Sequence, residues 1–250
     1  MPPRVPVESD FADLQATVPH KLHFPSPPES TTALMLVFHG LGDTHTNFSA
    51  FAPSTNLPGV MAVTVRGTSR LPDSLGLGIE GFHWGDDLII DQATGDLDDD
   101  AGFDKAEKVI MDEVLGRVII GECGWETTDV LLFGFGQGGT LALGLAAKLA
   151  DQNGKFKGAV SVGGSMPASM APKSGKKSAT EVLVVQLEDD EPVKRHFDNV
   201  RVANWDRKGV DMPRNRDEMV PIMKFFAERL NSGWPGDQAQ AQAQAQTPAQ

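Results

Sequence analysis

The residues with most to say about chemistry are six in a row, Gly134-Phe135-Gly136-Gln137-Gly138-Gly139, set between the apolar run Val130–Phe133 and an Ala/Leu-rich run from Gly139 to Ala150. Strand, tight turn and helix in that order is the setting of a nucleophile elbow. Its central residue is held on a strained turn above the sheet, and flanking glycines let strand and helix approach closely. Here the central residue is Gly136, which has no side chain to offer. The competing reading is a glycine-rich phosphate turn, because Gly134, Gly136 and Gly139 approach a dinucleotide fingerprint. The spacing fits that poorly, and no acidic ribose ligand is obvious at the right distance. A second glycine-rich turn, His39-Gly40-Leu41-Gly42-Asp43, follows the apolar run Leu34–Phe38. A histidine beside such a loop either acts as a base or shapes the turn by hydrogen bonding.

The elements that must position these residues read as strands alternating with helices. Short apolar runs at Leu34–Phe38, Val60–Val65, Val130–Phe133, Ala159–Val162, Val182–Gln186 and Val200–Trp205 are too short for helices. Between them, Lys105–Ile120 carries Val109, Ile110, Val114, Val118 and Ile119 near helical spacing. A last helix over Arg216–Leu230 opens with Asp217 and Glu218, whose charge suits a helix N-terminus, and Pro221 lies close to that end. This order predicts an α/β fold, a doubly wound and mostly parallel sheet with helices on both faces. The Pro/Ser-rich residues 1–30 read as a surface arm, 31–232 as one domain, and the Gln/Ala-rich 233–250 as a disordered tail.

With these elements in place, the chain resembles the phospholipase/carboxylesterase family of α/β-hydrolases, which includes the acyl-protein thioesterases. The family's elbow reads Gly-Phe-Ser-Gln-Gly-Gly, and Gly134–Gly139 match it except at the serine. The family's His-Gly-Leu-Gly-Asp turn is repeated in full by His39–Asp43. The resemblance implies a structural role for His39 and an oxyanion hole made by the backbone N–H groups of Leu41 and Gln137. It also places Phe82, His83 and Trp84 near the mouth of the acyl pocket, where with His39 they either line a ligand site or pack a long excursion onto the core.

The same resemblance locates the acid and the base. Val185-Gln186 leads through Leu187-Glu188-Asp189-Asp190 to Glu191-Pro192-Val193, so Glu191, or Asp190 beside it, takes the acid position; the plain alternative is a solvated acidic loop. The base position, after Met212, is held by Pro213, and no histidine follows His196. Serine attack needs a base to take the hydroxyl proton and return it to the leaving group. The resemblance therefore implies a family member with both partners replaced: a pseudo-hydrolase binding an acyl or carbonyl ligand or a protein. The alternative is an active ester or thioester hydrolase using another nucleophile, with Thr140 and Ser165 the nearby hydroxyls.

Composition narrows the partners. A net charge of -12 over 250 residues argues against a nucleic-acid surface, and no stretch is long and apolar enough for a membrane span. The single cysteine, Cys123, cannot form an internal disulfide, which suits the cytoplasm, with the nucleus possible. Asp96, Asp98, Asp99 and Asp100 lack the glycine and terminal Glu of a calcium loop, so no metal or cofactor is expected. An acyl ester or an acylated protein is the expected partner; oligomeric state does not follow from the sequence.

Overall fold

The computed structural model describes residues 3–72, 80–88 and 100–231. The expected tail at 233–250, Asp96, Asp98 and Asp99 lie outside the described residues. Two compact units divide the chain, Met1–Met212 and Pro213–Gln250, so a break falls inside the expected single domain.

The first unit is built on seven strands: β1 His20–His23, β2 Ala33–Phe38, β3 Val60–Val65, β6 Val130–Phe135, β7 Gly158–Val162, β8 Val182–Val185 and β9 Val200–Ala203. They lie in the order β1-β3-β2-β6-β7-β8-β9. All neighbouring pairs are parallel except β1 with β3. A separate hairpin pairs β4 Ser69–Arg70 with β5 Phe82–His83. The central strands are buried along their length, apart from Phe135 at the end of β6, because helices cover both faces. Leu34, Leu36, Phe38, Val130 and Leu132 pack with Leu141, Leu145, Val114 and Val118. These come from helix α4, Gln137–Lys148, and from a π-type winding over Val109–Glu122 that continues helix α3, Asp104–Lys108. The residues expected as one helix are thus wound more widely, with the β-carbon directions of Gly116 and Gly121 closing on the carbonyls of Met111 and Gly116. On the other face, two short helices absent from the sequence reading, α1 His45–Phe48 and α2 Phe51–Thr55, stack Phe48 and Phe51 on Phe133, the latter ring at 3.9 Å.

Residues 3–30 are not a surface arm, and this corrects the expectation drawn from their prolines. Phe11, Leu14 and Val18 join the core, and β1 forms the sheet edge against β3. The prolines flank these pieces instead of interrupting them: Pro19 precedes β1 and Pro25 follows it. The 3-10 turn Glu8–Leu14 is fastened by Arg4, whose guanidinium donates twice to Asp10 at 2.8 Å, while Asp10 also accepts from Val7 N and from the Cys123 thiol.

The second unit contributes helix α6, Arg216–Asn231, which starts where Asn215 Oδ1 accepts from Glu218 N and which accommodates Pro221 inside it.

Candidate active site

The elbow is present in its backbone. Between β6 and α4, Gly136 takes φ 52° and ψ −122°, and its N–H donates to Val162 O at 2.8 Å. The neighbouring glycines answer to close approach. A β-carbon at Gly134 would sit 2.1 Å from Gly138 O, one at Gly138 2.4 Å from Phe38 O, and one at Gly164 2.3 Å from Thr140 N. A β-carbon at Gly136 would meet only Gly40 Cα, at 3.9 Å. The turn therefore has the room and the shape for a side chain and carries none.

Beside it runs the turn Gly40–Asp43. The ring of buried His39 spans two backbone groups: Nδ1 lies 2.7 Å from Gly40 O, and Nε2 accepts from Gly67 N at 2.9 Å. This fixes a neutral imidazole protonated on Nδ1, and burial lowers its pKa further, against the opposing Gly40 bond. The Gly40 carbonyl and the Leu41 N–H share one planar trans peptide, so tying the oxygen to His39 turns the Leu41 N–H the opposite way. Among the hydrogen bonds of the described residues, neither Leu41 N nor Gln137 N donates to a protein acceptor. Gln137 is anchored by its side chain, whose Oε1 accepts from Trp84 N at 2.7 Å, and Trp84 Nε1 donates to His39 O at 2.8 Å.

A cavity of about 940 Å³ opens in front of the elbow, with Gly136, Gln137, Thr140 and Ser165 on its floor. His39, Phe82, His83 and Trp84 are all buried and none of them lines it. Trp84 packs edge-on to Phe38 and tilted against His39.

The acid segment is turned in a way the sequence did not reveal. Asp190 and Glu191 begin helix α5, Glu191–His196, and both reach Lys194, at 2.8 and 3.4 Å. One helical turn separates them from that lysine, so the pairing is local and points them along the helix. The residues that line the cavity are Glu188 and Asp189 instead. The loop after β9 lines the same cavity with Trp205, Arg207 and Lys208; the Arg207 guanidinium lies 4.6 Å over the Trp205 ring and 3.8 Å from Asp211 Oδ2. Gln186, the residue after β8, joins the two loops: its Oε1 accepts from Trp205 N at 2.6 Å, and its Nε2 donates to Arg207 O and Gly209 O. Its φ of 56° aims the side chain across, and a long-range clamp of this kind leaves no local sequence signal. Pro213 begins the second unit. His196 is absent from the cavity lining, and burial followed by Arg195 and Lys177 lowers its pKa.

A parallel sheet order with one antiparallel edge, an elbow at the end of its central strand and a glycine turn beside that elbow define an α/β-hydrolase. The chain belongs to the phospholipase/carboxylesterase family, whose model matches residues 22–198. That span ends before β9 and Pro213. An uncharacterised hydrolase of Schizosaccharomyces pombe is 32% identical over 205 residues, covering 79% of this chain and 83% of that protein. Two solved structures share the fold: esterase PE8, at a TM-score of 0.61 and 18% identity over 83% of this chain and 97% of its own, and acyl-protein thioesterase 2 of Zea mays, at 0.58 and 20% over 84% and 98%.

Proposed function

We propose that this member of the phospholipase/carboxylesterase family binds acyl compounds, as small esters or on an acylated protein, without turning them over at an appreciable rate. The observation that carries the reading is the elbow at Gly136, which keeps the strained turn and lacks the hydroxyl that the turn serves to present. Acyl transfer through a serine needs both the hydroxyl and a base, and among the described residues lining the cavity there is no histidine. Two amides, Leu41 N and Gln137 N, remain to hold a carbonyl oxygen, with His39 and Trp84 as the groups that set their direction. An oxyanion hole and binding alone leave roughly a thousandfold catalysis over water, which is close to inactivity in an ordinary assay.

A second reading, active ester or thioester hydrolysis, is favoured by one feature: Ser165 lines the same cavity. The experiment that separates the two is labelling with a fluorophosphonate probe together with p-nitrophenyl acetate turnover. The expected outcome is no label and no turnover above buffer. Stoichiometric label mapped to Ser165 or Thr140 would establish the active reading in its place. The free thiol of buried Cys123 supports placing the protein in a reducing compartment, the cytoplasm or the nucleus.

A further inference from the structure

The chain carries a charge of -12, yet at one end of the sheet its cations outnumber its carboxylates. Strands β7, β8 and β9 run parallel to β6, so the segments that lead into them gather at the end of the sheet opposite the elbow. These segments carry Lys155, Lys157, Lys173, Lys176, Lys177 and Arg195 against Asp151, Glu181 and Asp198. Hydrogen bonds tie them to one another. Lys176 Nζ donates to Asn153 Oδ1 at 2.9 Å, Lys177 Nζ to Lys194 O at 2.8 Å, and Ser178 N to His196 O at 2.8 Å. The Asp151 carboxylate is taken up by Lys173 N and Ser174 N. Lys194 is paired with Asp190 and Glu191 and adds nothing to the excess. The acceptors of Lys176 and Lys177 are neutral, and among the described residues none of the six cations enters an ion pair. All but Lys157 are exposed. Positive charge gathered in this way, without counter-charges of its own, attracts a negative partner over about a Debye length.

We propose that this face docks an acidic segment of a partner protein. An anionic membrane is the other surface that such charge attracts, and two observations favour the protein. None of the exposed large apolar side chains lies in these segments, so nothing there enters a bilayer to reinforce the electrostatic attraction. The five-residue strand β7, about 16 Å long, also separates this face from the elbow end, so binding through it would turn the cavity away from a membrane. A docked protein leaves the cavity open.

The test is fluorescence anisotropy of a fluorescein-labelled poly-L-glutamate peptide titrated with the full-length protein at low salt, beside co-sedimentation with phosphatidylserine vesicles. The overall charge of the chain repels the peptide, so binding reports the local excess of cations. Saturable binding that added salt weakens is expected. Lys173→Glu/Lys176→Glu/Lys177→Glu should weaken it by roughly tenfold or more, the combined range of three exposed ion pairs, and the matching triple Lys→Gln variant by about threefold. Lys21→Glu/Lys108→Glu, which reverses exposed lysines on β1 and α3, should change it little. No saturable binding, equal binding by the parent and both triple variants, or an equal loss in the Lys21/Lys108 variant would overturn the proposal. Tighter binding to the vesicles than to the peptide would overturn it in favour of a membrane.

Discussion

Gly134 and Gly136 lie two residues apart and should tolerate opposite things. At Gly134 a β-carbon would overlap Gly138 O at 2.1 Å, a backbone atom that cannot turn aside. Gly134→Ala is therefore expected to unfold the elbow or to cost more than 4 kcal/mol or so, the exceptional range for single substitutions. At Gly136 the space is open and only the left-handed φ of 52° opposes a side chain. Gly136→Ser should fold, with a loss of about 1–3 kcal/mol in chemical denaturation, and should remain inactive on p-nitrophenyl acetate for want of a base. Robust turnover by this single variant would show that a base is present after all.

At the scale of elements, the N-terminal segment is held by one carboxylate. Asp10 accepts from Arg4, Val7 and Cys123, and its hydrogen bond with Arg4, ahead of the opposing cost of burial, brings its pKa down from 3.8 to about 2. A carboxylate whose folded pKa is depressed stabilises above its unfolded pKa and loses that contribution as pH falls through the folded value. Asp10→Asn should thus lower stability by about 1–3 kcal/mol at neutral pH, the range for hydrogen bonds to charged groups. The gap to the parent should close between pH 3.8 and about 2, as read by denaturant midpoints at each pH. The same cluster holds the Cys123 thiol up at about 11, chiefly by burial, so it is an inert structural thiol and no candidate nucleophile.

At the scale of the whole molecule, five histidines share one direction. His20, His39, His45, His83 and His196 all have lowered pKa values, in each case first through burial, and His45 reaches about 4 with Arg66 the next cause. The unfolded chain then binds more protons than the folded one below the ordinary histidine value of 6.5. Stability should fall as pH drops from 6.5 toward 4, even though the same change relieves the self-repulsion of a chain at -12. A melting temperature lower at pH 5 than at pH 7.5 is the expected result; a higher one would mean that charge repulsion outweighs the buried imidazoles.

What the sequence determined by itself was whatever is written in local pattern. Apolar runs bounded by turns gave the six parallel strands, and Gly134–Gly139 and His39–Asp43 gave the elbow, its missing side chain and the family, because close backbone approach demands glycine at fixed positions. The tertiary structure decided the rest. Phe11, Leu14 and Val18 are spaced along a segment whose prolines read as coil, and only packing against the core shows them buried. Asp190 and Glu191 matched the acid position by order along the chain, yet the start of α5 turned them to Lys194 and left Glu188 and Asp189 at the cavity. Gln186 and the wall of Trp205, Arg207 and Lys208 come together from loops about twenty residues apart, and a side chain's direction across a cavity is fixed by backbone dihedrals and long-range hydrogen bonds that no local spacing encodes.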